Sequence, residues 1–259
     1  MSWQDAAEIL RTPFFDGVRP LLQKLQGGWP TLEQLNRMSR EVRAFNADGM
    51  PICFAPPREG PGSAVHYEMG IATSGEIPTR QNWHDLFNAL QWLAYPLLKA
   101  RLNAQHVRMI REEGAGKGAI RSAPRDVLTM FDESGIIVAS ADPTLLALLR
   151  NFQWHALFVE RRQDVVDNMR FVLAGHGLME KSLRPFIGLT AKAMLLDIDA
   201  AAPELDHASA DWLNNRPHLD DSHNLSPLPL LGIPGWDARN ESADFYQNSA
   251  YFRTGRRQT

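Results

Sequence analysis

The sequence holds one cysteine, Cys53, so an intramolecular disulfide is excluded and the fold does not depend on an oxidising compartment. No apolar run approaches the ~20 residues that span a bilayer. Residues 1–8 carry acids and no apolar stretch, so no signal peptide is expected, and a cytoplasmic protein is the default reading. Excess basic charge is missing as well. The net charge is -3, which argues against nucleic acid as a partner, because that affinity rests on a basic field. What remains is an ordinary globular balance of 44% hydrophobic and 22% charged residues, with seven Trp and twelve Phe to fill a core.

Residues 2–45 read as two or three short helices broken at Pro13, Pro20 and Pro30, with Thr31 and Gln34 forming a capping box. Residues 51–62 are rich in proline and read as a loop. Val65, Tyr67, Met69 and Ile71 alternate with His66, Glu68 and Gly70, the period of a half-buried strand with His66 and Glu68 on its polar face. A helix is expected after Asn82, interrupted at Pro96 and resuming over 97–113. Residues 126–139 read as a β-hairpin turning at Asp132 and Glu133. Helices are expected over 144–150, 163–184 and 186–196.

From Pro203 the chain is rich in Pro, Asn and Asp, yet holds too many aromatic and aliphatic residues for a disordered tail. The expectation is a mainly α (α+β) fold: one compact helix-rich domain with a small β-hairpin or strand element. It comprises N-terminal helices (1–50), a central body (63–200) and an irregular C-terminal arm (203–259) wrapped over the body.

The densest polar chemistry lies in Arg80-Gln81-Asn82-Trp83-His84-Asp85-Leu86-Phe87-Asn88. On a helical wheel Leu86, Phe87, Leu90, Leu93 and Ala94 form a core face, while His84, Asn88, Gln91, Trp92 and Tyr95 gather opposite. A helix carrying Trp and Tyr on its second face must be covered on both, by the arm, a partner subunit or a ligand. Asn82 suits an N-cap, and Asp85 is either a capping carboxylate or a catalytic one. His84 falls in the first turn, where the helix dipole disfavours positive charge, as a metal ligand or general base requires. A hydrogen-bonded structural histidine fits equally.

His176 and Glu180 are spaced i, i+4 on what reads as a buried stripe, and they need partners if buried. Gly175 and Gly177 flank His176, and glycine inside a helix usually marks a close approach. An imidazole and a carboxylate on one helical face can supply two metal ligands, or simply hydrogen-bond each other.

Weaker signals carry less. Gly114-Ala115-Gly116-Lys117-Gly118 lacks the spacing and the Ser or Thr of a phosphate loop. His218 and His223, with Asp220 and Asp221, read as a solvated loop, and His207 lies in the same arm. His155 reads as a packed core residue and His106 as a surface one. Ser134 and Ser140 lack a nucleophile elbow, and Cys53 lacks the surroundings of a catalytic thiol.

Several separated motifs resemble a bacterial family named domain of unknown function 3025. They are Tyr67-Glu68; Ile77-Pro78-Thr79-Arg80 with the 82–90 run; Arg125-Asp126 with Leu128-Thr129 and Phe131-Asp132-Glu133, then Gly135; and Gly175-His176-Gly177-Leu178-Met179-Glu180-Lys181. Pro227 to Trp236, Asn240 and Phe245-Tyr246 complete the set. The resemblance implies one intact domain and lends no activity. Gly177 stands where a residue such as alanine is expected.

Two functions stay open. In the first, an enzyme has a polar or metal-bearing pocket in which His84, His176 and Glu180, with Glu68, bind one divalent ion such as iron or zinc. Asp85 acts there as base or as orienter of His84, Arg80 binds an anionic group of a small-molecule substrate, and Asn88 belongs to the catalytic set. In the second, the same residues form a buried structural network in a non-catalytic binding or assembly protein.

Overall fold

The computed structural model describes residues 1–25, 27–57, 64–113, 123–215 and 224–255, without the side chains of 64–66 and 123. The chain opens with short helices. α1 (Trp3–Ala6) starts from a capping box of Ser2 and Asp5, and two 3-10 turns follow. α2 is Arg19–Lys24. α3 (Leu32–Val42) begins at Thr31, whose hydroxyl accepts from the Gln34 amide while the Gln34 side chain accepts from the Thr31 amide, as the sequence pattern requires.

β1 (Cys53–Ala55) and β2 (Glu76–Pro78) pair in parallel, joined through α4 (Ala64–Ser74). Gly75 makes that junction possible. Its φ is 71°, and a side chain there would strike the Pro51 carbonyl. The expected strand at 65–71 is therefore a helix. The two-residue alternation hid a four-residue one: Tyr67 and Ile71, then Glu68 and Ala72, each lie one turn apart. Seven residues are too few for period alone to decide.

α5 (Trp83–Ala94) and α6 (Pro96–Glu113) follow, broken at Pro96 as expected. α7 (Ala123–Ser134) then runs straight into β3 (Gly135–Ala139). The expected hairpin is thus a helix followed by a strand. Val127, Leu128 and Phe131 are all buried, at helical spacing.

α8 (Pro143–Arg150) is capped by Asp142, and a π-helical turn at Ala156–Glu160 leads to α9 (Arg162–Asn168). The expected long helix over 163–184 is divided by β4 (Arg170–Leu173), which pairs antiparallel with β3, before α10 (His176–Lys181) begins. Residues 190–196, expected to be helical, form β5 (Thr190–Leu196), parallel to β3. Their helical appearance came from continuous apolar character, which a strand buried on both faces shares.

The arm is less irregular than expected. It contains α11 (Leu205–Asn214) and β6 (Ser226–Pro229), which joins β5 at the sheet edge. The sheet order is β4-β3-β5-β6. After β6 the arm does wrap the body. The Tyr251 hydroxyl donates to the Leu189 carbonyl and Trp154 donates to the Arg253 carbonyl, while Asn240, donating to the Leu231 and Ile233 carbonyls, holds the arm to itself.

The four-stranded sheet separates two apolar clusters. Ile136 and Val138 of β3 face a large cluster that runs from Trp3 to Phe252, while Ile137 and Ala139 face a smaller one with Leu128, Phe131 and Met194. Burying each such aliphatic side chain is worth ~1.5–3 kcal/mol, which fixes the register of β3 from both sides. β3 thereby anchors the C-terminus of α7 and, through β4, the start of α10. Over the described residues the architecture is helix-rich α+β with two small sheets. Among the described residues, no helix is long and apolar enough to cross a membrane.

Candidate metal centre

Three helix ends meet beside this sheet. α5 is capped by Asn82, whose side chain accepts from the Asp85 amide, and so places His84 in its first turn. His176 is the first residue of α10. Asp132 and Glu133 occupy the last turn of α7. Carboxylates at a helix C-terminus oppose the dipole, at ~0.3–1 kcal/mol each, so cationic partners must offset them.

Glycine brings the ends together. A side chain at Gly175 would enter the backbone of Glu133, Ser134 and Gly135, and one at Gly177 would collide with the Glu133 carboxylate. The Gly175 and Ala174 amides both donate to the Gly135 carbonyl, at 2.8 and 3.0 Å. The glycines flanking His176 therefore seat α10 directly on the end of α7.

The rings of His84 and His176 lie edge to face with centroids 4.5 Å apart. His84, His176 and Glu133 each present one ligand-capable atom, and all three atoms fall within 4.8 Å of one another. Glu133 Oε1 is 3.5 Å from His176 Nε2 and 3.9 Å from His84 Nε2. The outer nitrogens face other carboxylates: His84 Nδ1 is 3.1 Å from Glu180 Oε2, and His176 Nδ1 is 3.8 Å from Asp132 Oδ2. His176 is buried, while His84, Glu133 and Glu180 are roughly 40% exposed at 39%, 42% and 45%. The cluster therefore opens to solvent on one side.

Behind it lies a largely buried polar layer. Lys99 of α6, only 5% exposed, donates to Asp132 Oδ1 at 2.5 Å and to Asn88 Oδ1 at 3.0 Å. Asn88 donates in turn to the Tyr67 hydroxyl at 2.8 Å. Burial opposes charge on Asp132, but the Lys99 ammonium and the neighbouring His176 outweigh it and hold the carboxyl below its ordinary range. The Glu133 carboxyl is lowered first by its bond to His176, against burial, with His84 adding to the effect.

Among the residues singled out in the sequence, His84, His176 and Glu180 do converge. Glu68 does not join them. It sits on α4, accepts from Asn103 Nδ2 at 2.7 Å, and is pushed up to about 7 by burial. Burial also raises the Tyr67 phenol beside it, well above the usual range. The Asp85 carboxylate accepts from the Arg80 amide at 2.7 Å and lies 3.9 Å from the Arg80 guanidinium. Arg80 itself is 68% exposed. Asn88 is held between Tyr67 and Lys99.

The second face of α5 is covered as expected, and at Tyr95 the apolar cluster includes Leu205 and Leu213 of the C-terminal arm. Gln91 donates to the Leu173 carbonyl and to Met179 Sδ, so β4 and α10 are the cover there, and Lys99 brings α6 against Asn88. Glu180 lies on no buried stripe.

Asp132 and Glu133 are not among the sequence-derived site residues, because a hairpin over 126–139 places both in its turn, and Lys99 carries no local signal. The available signal was an acidic pair immediately before Gly135, at the end of a stretch that also satisfies a helical period. His155 is exposed and paired with Glu160 rather than packed in the core, and His106 is buried rather than superficial. His207 is exposed. The glycine-rich 114–118 stretch, the His218–His223 pair and the His66 side chain lie outside the described residues.

No curated protein and no solved structure matches this chain. A family model does match, that of the protein of unknown function DUF3025, over residues 52–256. That span includes α5, α7 and α10 with every residue of the cluster, and the chain belongs to the DUF3025 family.

Proposed function

We propose that this protein is an enzyme that uses one divalent transition-metal ion, held by His84, His176 and Glu133. The observation that carries the reading is the convergence of two imidazoles and a carboxylate within 4.8 Å at a half-open site. Two imidazoles and one carboxylate suit zinc, iron or manganese. Three protein ligands leave coordination positions for water and substrate, as catalytic rather than structural sites do.

Charge supports the same conclusion. Glu133, Glu180 and Asp132 carry three negative charges and Lys99 one positive, leaving two negative charges to match one divalent ion with both imidazoles neutral. In this reading Glu180 is an orienting carboxylate behind His84 Nδ1, a role in which such partners raise ligand basicity. Bound metal would supply an activated water or a redox centre. The exposed Arg80 guanidinium, on the segment that leads into α5, is the group offered to an anionic substrate.

The test is elemental analysis of protein purified without a metal-binding tag, beside His84→Ala, His176→Ala and Glu133→Ala. Near-stoichiometric metal in wild type, absent from all three folded variants, is the expected result. Zinc would direct substrate screening to hydrolysis and iron to oxidation. Folded wild type that holds no metal and takes up neither zinc, iron(II) nor manganese(II) would overturn the reading.

A second reading is favoured by the mutual pairing of these groups. His84 with Glu180 at 3.1 Å can clamp α5 to α10, and Lys99 with Asp132 at 2.5 Å can clamp α6 to α7, without a metal. Under it, His84→Ala and His176→Ala lower stability and no metal binds at any stage.

A further inference from the structure

Lys99 is a cation placed where a metal-binding site would seem to want none. It is 5% exposed, and its ammonium is fully engaged: Asp132 Oδ1 at 2.5 Å, Asn88 Oδ1 at 3.0 Å, and the face of Trp92 at 5.7 Å to the ring centroid. Nothing is left over for a substrate, so a nucleophilic or Schiff-base role is excluded by access. Burying such a pair costs more than burying an apolar one, so its value must be sought in position.

The position is informative. Asp132 offers Oδ1 to Lys99 and turns Oδ2 toward His176 Nδ1, 3.8 Å away. That nitrogen is buried and has no hydrogen-bond partner among the described residues. A small ring rotation would close the gap, leaving Nε2 on the Glu133 side free for a ligand role. The carboxylate cannot swing to meet other groups while Lys99 holds its other oxygen, and Lys99 cannot move while Asn88, tied to the Tyr67 hydroxyl, holds it.

We propose that Lys99 is a positioning residue of the metal centre: acting through Asp132, it fixes the orientation and tautomer of His176 so that Nε2 faces the ion. The proposal rests on the metal reading above, and it makes a prediction of unusual sign. An ammonium near a divalent ion acts by simple repulsion to weaken binding, so its removal should tighten binding. A positioning ammonium does the reverse.

Metal-stripped wild type, Lys99→Met, Asp132→Asn and the double variant would be titrated with cobalt(II), following its visible d–d absorption, alongside thermal unfolding of each apo protein. Each single variant should weaken cobalt binding by about 10–100-fold, the usual cost of losing an outer partner, and should shift the d–d band. The double variant should bind no more weakly than Asp132→Asn alone, because Lys99 acts through that carboxylate. A merely structural role would lower the unfolding temperature while leaving the spectrum and affinity of folded protein unchanged. That outcome, tighter binding in Lys99→Met, or additive losses in the double variant, would overturn the proposal. Lys99→Met leaves Asp132 uncompensated and can misfold; Asp132→Asn and the uncharged double variant keep the comparison decisive. Wild type that binds no cobalt would remove the metal reading itself, whereas binding wild type with unaffected variants would remove only the role of Lys99.

Discussion

Glu133 and Glu68 are both glutamates near the same polar layer, and their surroundings drive them in opposite directions. Glu133 is 42% exposed at the end of α7, lies against two imidazoles, and is held below the ordinary carboxylate range. Glu68 is enclosed on α4 with one amide donor, and burial pushes it to about 7. A low, solvent-reachable carboxylate is an available ligand at neutral pH. A carboxyl titrating near 7 behind a packed helix is half protonated there, and a bond from Asn103 is its main compensation. The difference lies in what each side chain touches, which residue type does not reveal.

Metal binding should break the pair apart most sharply. Glu133→Gln keeps the size of the side chain and removes the charge that would face the ion. Its loss of affinity should exceed the roughly 10–100-fold that an outer-partner substitution costs, because a ligand itself is removed. Glu68→Gln should leave zinc or cobalt affinity within about threefold of wild type, below that range. Equal losses in the two variants, measured by competition with a chromophoric chelator, would dissolve the distinction between them.

The sequence inverted this pair, and the reason is geometric. Glu68 falls on the polar face of an expected strand and is offered as a ligand; Glu133 falls in an expected hairpin turn, which accounts for an acid without a site. Both assignments followed from short windows in which periods of two and of 3.6 fit equally well. Features with local chemistry were legible: the Thr31–Gln34 capping box, the Asn82 cap, the break at Pro96, and the two-sided covering of α5. His84 and His176 were singled out because helix position and flanking glycines are written in neighbouring residues. Sheet pairing was not legible, because the partners of β3 lie at 170–173 and 190–196, far along the chain. Lys99 was invisible for the same reason. Its partner Asp132 is 33 residues away, and nothing in the local pattern of α6 marks one lysine as buried.

The contrast also has a signature in stability against pH. Glu68 has an ordinary value of 4.5 and a folded value of about 7. Below 4.5 both folded and unfolded forms are protonated and the group contributes nothing. Between 4.5 and about 7 the unfolded chain ionises while the folded one does not, so stability falls as pH rises, and above that window the loss is constant. Its full size is on the order of 3 kcal/mol, from 1.36 kcal/mol per unit of pKa. Glu68→Gln should therefore match wild type near pH 4 and exceed it at pH 8, as read from urea unfolding of the apo protein. Asp132 and Glu133, both lowered, act in the opposite sense: their contribution is lost as pH falls through their folded values. A Glu68→Gln variant that gains nothing at pH 8 would show that the buried carboxyl is better solvated than its packing implies.

The glycines beside His176 offer a finer version of the comparison, with one substitution aimed at the fold and the other at the site. A methyl group at Gly175 would enter the backbone of Glu133, Ser134 and Gly135, which cannot yield without moving β3 or the end of α7. Overpacking of that kind costs roughly 1–3 kcal/mol, so Gly175→Ala should lower the unfolding temperature whether or not metal is present. At Gly177 the first obstacle is the Glu133 carboxylate, the free end of a flexible side chain. That carboxylate can swing aside at little energetic cost, taking the proposed ligand with it. Gly177→Ala should accordingly keep apo stability within about 1 kcal/mol of wild type, the smaller end of overpacking effects, and still lose metal affinity. The two thermal scans, each run with and without cobalt(II), separate the cases: Gly175→Ala keeps the shift that cobalt gives wild type from a lower starting point, and Gly177→Ala starts near wild type and loses the shift. If both alanines behave alike, then Glu133 is fixed by its backbone rather than by the space that Gly177 leaves open, and its carboxylate has less freedom to meet an ion than the proposed centre requires.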